Sequence, residues 1–265
     1  MVTFCIDPGH SKGQNRSPIV PEYIEGERMF LLGHLLKKEL ERYENVKVLI
    51  TREKVTENPD LYTRGMMAKG CVALVSLHSD AAPNGAESVD RATAFYPISG
   101  KGKELAKLLS AEVAATMGVK QGGKIKTRVN GAGDADYYGV IRHAVAAGSI
   151  GIIMEHGFHT NKYVAKWLLE DRNLEKLAKA EAKVLADYYG LKKKPGEEDE
   201  MRYNTLADLK ADKKYGGDYL PTVEKLMEKD ILRGKGGEGD ETVIDLGEDA
   251  IRVLVMLDRA GQFGE

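Results

Sequence analysis

The sequence predicts an α/β fold: a mixed, largely parallel sheet flanked by helices, followed by a small, mainly helical C-terminal domain. Short apolar runs alternate with windows of helical periodicity as far as residue 190, the pattern of a parallel sheet with crossover helices. The run Val72–Leu77 is apolar throughout except for Ser76, as a strand covered on both faces requires. Polar, chemistry-bearing residues follow directly after the apolar runs, at the edge where active-site residues gather in such sheets.

The first strand is Val2–Ile6, stopped by Asp7-Pro8-Gly9, which a helix would not tolerate. Residues 25–43 place Met29, Leu32, Leu36 and Leu40 on one side of a helix, with Lys37, Lys38 and Glu41 on the other. A strand at Val46–Ile50, a short helix at Leu61–Lys69 and the buried strand Val72–Leu77 follow, then a strand at Ala94–Ile98. Lys103–Met117 is an amphipathic helix with Leu105, Leu108, Leu109, Val113 and Met117 inward. Ile150–Met154 is the next buried strand, and Tyr163–Leu169 and Leu174–Tyr189 are helices. Gly190 suits the left-handed position that ends the second of these.

The stretch 192–200 runs from Lys192-Lys193-Lys194 to Glu197-Glu198-Asp199-Glu200 without an apolar residue and reads as a linker between domains 1–191 and 201–265. The last segment offers helices at Leu220–Lys229 and Glu248–Arg259 around a glycine-rich turn and the apolar run Val243–Leu246. So short a piece is expected to have little core of its own and to dock or self-associate. The net charge of −2 divides into +6 over residues 1–195 and −8 over residues 196–265. No run approaches the roughly 18 apolar residues of a membrane span, and nothing points to a nucleic-acid partner. Cys5 and Cys71, both within apolar runs, read as small core residues.

His10 follows the first strand, His78 the Val72–Leu77 strand and Glu155 the Ile150–Met154 strand, so a parallel sheet would bring all three together. Glu25 opens the first long helix, four and seven residues before Met29 and Leu32 and hence on the inward face; Glu22 and Glu27 are the neighbouring alternatives. Two imidazoles and a carboxylate with an open fourth position make a catalytic zinc site, whereas structural sites are closed by four protein ligands. A lone histidine after a strand is more often structural than a ligand, so spacing by itself does not decide the matter.

Three segments carry a resemblance: Ile6-Asp7-Pro8-Gly9-His10, Ser76-Leu77-His78-Ser79-Asp80-Ala81 and Ile153-Met154-Glu155-His156-Gly157-Phe158-His159-Thr160-Asn161. Together they resemble the signatures of the zinc-dependent N-acetylmuramoyl-L-alanine amidases found in bacterial autolysins and phage endolysins, over about residues 2–190. The resemblance implies His10, Glu25 and His78 as Zn²⁺ ligands, Glu155 as catalytic acid and base, and peptidoglycan as substrate. His156 and His159 stand where that family has apolar residues; together with His143 they are expected to line the substrate groove, or His159 to donate a hydrogen bond near the metal. His34, in mid-helix among leucines, is expected to be structural.

Tyr219–Gly234 loosely resembles the helix and turn of a surface-layer-homology wall-binding module, with Asp230 in place of a glycine. The C-terminal domain is therefore expected to contact a secondary wall polymer or to self-associate. The N-terminus lacks the basic and apolar regions of a secretory signal, which leads to the expectation of a phage endolysin held in the host cytoplasm until release to the wall. The rival readings are a bacterial autolysin, a peptide-cleaving zinc carboxypeptidase of the wall, and a non-catalytic wall-binding protein.

Overall fold

A computed structural model of the chain describes residues 1–196, 202–234 and 236–264. It divides into two compact units, Met1–Glu197 and Glu198–Glu265.

The first unit is built on a six-stranded sheet. Its strands in chain order are β1 (Val2–Pro8), β2 (Val46–Ile50), β3 (Ala73–Asp80), β4 (Ala92–Phe95), β5 (Gly123–Lys126) and β6 (Ile150–Phe158), and their spatial order is β2-β1-β3-β6-β4-β5. β2, β1, β3 and β6 run parallel; β4 joins β6 antiparallel, and β5 pairs parallel with β4. The expected mixed, largely parallel sheet is thus present. The helices are α1 (Glu25–Leu40), α2 (Leu61–Met66), α3 (Lys103–Met117), α4 (Gly139–Ala146), α5 (Lys162–Leu169) and α6 (Asp171–Tyr189).

The period of two along each strand sorts the core into layers. Phe4, Ile6, Val75, Leu77, Ile152 and Met154 point to one face and pack with Leu32 and Leu36 of α1, Leu109 of α3 and Leu185 of α6. The alternate residues Cys5, Leu74, Phe95 and Ile153 pack on the other face with Val140, Ile141 and Ala144 of α4. Cys5 and Cys71 are buried and unbridged within this second cluster, as small core residues.

Local chemistry sets several element ends. Asp60 caps α2, accepting from the Thr63 N–H at 2.7 Å, and Asn161 caps α5, accepting from Val164 at 3.1 Å. Gly190, left-handed at φ 65°, ends α6.

Three expectations need correction. β3 and β6 run on through Asp80 and Phe158, so His78 and Glu155 lie within paired strand rather than beyond it; the ladder continues because each strand supplies the other's backbone partners, whatever the side-chain polarity. β5 and α4 escaped the periodicity reading, since Gly-Lys-Ile-Lys holds one apolar residue and α4 spans only two turns. Finally, Lys192–Lys194, read as linker, bonds back to the first unit. Glu44 N–H donates to the Lys192 carbonyl (2.8 Å) and Lys194 N–H to the Arg42 carbonyl (2.9 Å). Residues 197–200 of that stretch lie outside the described residues.

The second unit contains a two-stranded antiparallel ribbon of β7 (Arg202–Thr205) and β8 (Val243–Gly247), with helices α7 (Leu206–Ala211), α8 (Gly216–Glu228) and α9 (Glu248–Arg259). Thr205 and Asp208 form a reciprocal capping box on α7. Contrary to the expectation of little core, Tyr203, Leu206, Leu209, Val223, Ile251 and Val255 form a buried cluster belonging to this unit. β7 and α7, missing from the sequence reading, contribute three of these six residues.

Candidate active site

The site forms where β1, β3 and β6 end side by side. β1 finishes at Pro8, and the chain turns through Gly9 to His10, which adopts the left-handed conformation at φ 57°. A Cβ on residue 9 would overlap the His78 ring, so the close approach of the two segments requires glycine there. Two buried guanidiniums hold this turn. Arg64 pairs with Asp7 (Nη1–Oδ1 2.8 Å) and donates to the carbonyls of Pro8 and His10, both at 2.8 Å. Arg52 donates to the Gly9 carbonyl at 3.0 Å and, across to the start of α1, to Gly26 at 3.2 Å. Asp7 also accepts from Ser76 (2.6 Å) and Thr51 (2.5 Å). Burial raises the Asp7 carboxyl, but the Arg64 charge and these hydroxyl donors leave it below the ordinary carboxylate range.

Both members of the Asp7–Arg64 pair are almost fully buried. Removing one partner of a buried pair costs about 3–5 kcal/mol, because the other charge is left uncompensated. Arg64→Met is expected to lose that much stability in chemical denaturation; a loss below about 1 kcal/mol would show that the pair does not hold the turn.

His10, Glu25 and His78 meet at this edge. Their ligand atoms all lie within 4.8 Å of one another, with Glu25 Oε1 3.2 Å from His10 Nε2 and 3.0 Å from His78 Nδ1. Glu25 is fully buried at the first turn of α1. The Ser79 N–H donates to its Oε1 at 3.0 Å, and Asn15 donates to its Oε2 at 3.0 Å. Burial pushes the Glu25 carboxyl up, but the hydrogen bonds and charges of His10 and His78 bring it well below the usual range. Of the three candidate acids only Glu25 joins the cluster; Glu22 is exposed and Glu27 half-buried on another face.

The donor set fits a zinc ion. Ligands at about 2.0–2.2 Å in a tetrahedron stand about 3.4 Å apart, close to the separations from Glu25 to both imidazoles. Two histidines and a carboxylate from three different elements leave one coordination position open to a reactant.

Glu155 enters from β6, in register with His78 of β3 and opposite Thr93 of β4. Burial raises its carboxyl well above the ordinary range, and the negative charges of Glu25 and Asp80 add to this. Its Oε2 has no hydrogen-bond partner among the described residues. A buried carboxyl with a free oxygen near a cluster of candidate metal donors is equipped to take and return a proton.

Of the three histidines expected to line the substrate groove, His156 and His159 are buried. His156 is fully buried rather than groove-lining: strand alternation turns it to the face opposite Glu155, where Nε2 meets Glu181 of α6 at 2.9 Å and Nδ1 the His78 carbonyl at 3.0 Å. His159 is likewise buried, stacked on Tyr23, with Nδ1 3.0 Å from both the Ser79 hydroxyl and carbonyl and 3.8 Å from Glu25 Oε2. His143 packs edge-on against Tyr62, between α4 and α2. His34 is structural, its Nε2 3.2 Å from the Arg52 carbonyl. Sequence reasoning missed Asp7, Arg52, Arg64, Ser76 and Glu181. Arg52 and Arg64 carried no signal, because charged residues after a strand or in a short helix are ordinarily solvated.

The fold and the cluster define an open α/β sheet carrying a His–Glu–His donor set and a buried carboxyl at its strand ends. Residues 4–187 match the family model described as N-acetylmuramoyl-L-alanine amidase; the chain belongs to that family, whose substrate is peptidoglycan. The fold is similar to solved structures described as N-acetylmuramoyl-L-alanine amidases. One is from Clostridium difficile 630 (20% identity, TM-score 0.61, covering 71% of this chain and 97% of that one). Another is the catalytic domain from Bacillus (Paenibacillus) polymyxa var. colistinus (19%, 0.61, 72% and 100%). A third is from Nostoc punctiforme (20%, 0.55, 71% and 97%). Among curated proteins, sequence comparison finds no match.

Proposed function

We propose that the chain is a zinc-dependent amidase hydrolysing the bond between the lactyl carbonyl of N-acetylmuramic acid and the nitrogen of L-alanine. The reading is carried by the convergence of His10, Glu25 and His78 within 4.8 Å at the strand edge where His78 pairs in register with Glu155. These three residues would hold the ion. Bound there, zinc supplies Lewis acidity, polarising the scissile carbonyl and lowering the pKa of water. The protein's own part is proton handling: Glu155 accepts the proton of the attacking water and returns it to the departing nitrogen. The second transfer is as necessary as the first, since an amine leaves readily only once protonated. The buried Asp7–Arg64 pair and the Ser79 N–H keep the donors oriented, so that little reorganisation is needed during reaction.

The test is turbidity loss on purified peptidoglycan, with and without a chelator, followed by mass spectrometry. Newly exposed L-alanine amino groups on intact glycan are expected. Cleavage within the peptide would point to a carboxypeptidase instead, and a zinc-loaded but inert protein to a binding module.

For the second unit, which lies outside the residues matched by the family model, we propose attachment to a secondary wall polymer or self-association. Truncation after Pro195 is expected to preserve hydrolysis by the first unit and to weaken wall pull-down or lower the oligomer mass. If neither changes, both roles are excluded. For the biological setting we propose a phage endolysin acting from the host cytoplasm. Among the described residues no helix is long and apolar enough to cross a membrane. Cytoplasmic expression should leave cells intact until the membrane is permeabilised and then lyse them; lysis without permeabilisation would count against this setting.

A further inference from the structure

Two grooves flank the candidate site, and their chemistry differs. One, of about 420 Å³, contains His10 and His78 together with Gln14, Asn58, Asp60 and Leu61. The other, of about 410 Å³, is lined by Arg91, Lys126, Arg128, Phe95, Tyr138 and Phe158. This second groove adjoins Glu155. Its walls are the ends of β4, β5 and β6, and Thr93 of β4 stands opposite Glu155.

The second groove is cationic, with three basic side chains against the single acid Asp80. Among the described residues none of the three bases lies in an ion pair. The Arg128 guanidinium rests over the Tyr137 ring at 3.6 Å and the Arg91 guanidinium over Phe158 at 4.9 Å, with Arg91 Nε buried and without a hydrogen-bond partner. A guanidinium resting over an aromatic ring is restricted in orientation, and the Arg91 and Arg128 N–H groups not engaged by Tyr138 are donors for a planar anion. Buried donors without partners are uncommon in folded proteins and mark places where a ligand completes the set.

On the amide substrate of the proposed activity, the lactyl sugar carries no charge, whereas the residue after L-alanine is a D-glutamate joined through its side-chain carboxyl. Its α-carboxyl is left either free or amidated. Resting on the amidase reading, we infer that the Arg91–Lys126–Arg128 groove receives the stem peptide and binds the free α-carboxylate of its second residue, so that the enzyme distinguishes isoglutamate from isoglutamine walls. The carboxamide keeps the shape but loses the charge and one acceptor, so the guanidinium fork loses its charge-assisted bonds. The groove beside His10, whose base Arg64 is paired with Asp7, is then left to the glycan.

The test compares the zinc-loaded full chain on two disaccharide-tetrapeptides that differ only in D-isoglutamate against D-isoglutamine at the second position. The wild type is expected to favour the isoglutamate substrate by about tenfold or more in kcat/KM, mainly through KM, as the loss of a hydrogen bond to a charged group implies. Arg128→Gln and Arg91→Gln should bring that ratio toward one, and Arg128→Lys should restore part of it. Equal rates on both substrates in the wild type would overturn the carboxylate subsite and leave the amidase reading standing, as would an unchanged ratio in both glutamine variants. Hydrolysis of neither substrate would overturn the amidase activity and the subsite with it.

Discussion

Glu155→Gln is expected to lower amide hydrolysis by about 10²–10⁴-fold, the usual worth of a positioned acid–base group, while zinc content stays at the wild-type value. The glutamine has the shape of the protonated acid but can neither accept the water proton nor deliver it to the leaving nitrogen. Because Glu155 is not one of the three clustered donors, metal binding and proton transfer separate in this variant. Near wild-type clearing of purified walls by Glu155→Gln would remove the assignment.

The same substitution should act on stability in the opposite sense. Burial, then the Glu25 and Asp80 charges, raise the Glu155 carboxyl in the folded, metal-free protein. A carboxyl whose folded pKa is raised contributes its stability below its unfolded pKa of about 4.3 and loses it as pH rises through the folded value. Metal-free Glu155→Gln should therefore be more stable than the metal-free wild type at neutral pH, and the advantage should vanish below about pH 4. Thermal melts of the two apo proteins across that range read the difference directly. Gain of stability with loss of activity is the signature of a residue retained for chemistry.

The second large effect belongs to His78→Ala. It removes one of the three donors and a hydrogen-bonding partner of the buried Glu25 carboxylate. Zinc bound to the folded state alone stabilises by RT ln(1 + [Zn]/Kd), about 2.7 kcal/mol at a hundred times Kd. Wild type is expected to melt higher with zinc and lower after chelation. His78→Ala should melt at the same temperature in both conditions, contain no zinc by elemental analysis and be as inactive as the chelated wild type. A variant that still binds zinc stoichiometrically and responds to it in melting would show that His78 is not a ligand.

Much of the catalytic unit was legible from periodicity. The boundaries of α3, and the face of α1 that carries Met29, Leu32 and Leu36, follow from the repeat of apolar side chains. Helix phase also separated Glu25 from Glu27, because the face that buries Met29 is the face that meets the strand ends. The polar ends of β3 and β6 were not legible, since a strand that continues through Glu155-His156 owes its conformation to partners elsewhere in the chain. β5 was invisible for the same reason: its backbone is held by β4, and Gly-Lys-Ile-Lys offers no pattern of its own. The second unit was underestimated because Tyr203, Leu206 and Leu209 of its core come from β7 and α7, elements of four and six residues that leave little periodic trace.

By itself the sequence determined the α/β class, the succession of buried strands and amphipathic helices, and the proximity of His10, His78 and Glu155 to neighbouring strand ends. These depend on local patterns and on the rule that parallel strands end together. Only the tertiary structure decided which polar residues face one another. It turned His156 away toward Glu181, buried His159 behind Glu25 against Tyr23, and drew Arg52 from the loop after β2 and Arg64 from α2 to fix the turn that carries His10. The reason is physical. Strand parity and the desolvation of charged groups act through contacts between residues far apart in sequence, and a buried charge takes the position where its partners are, not one that its neighbours in the chain announce.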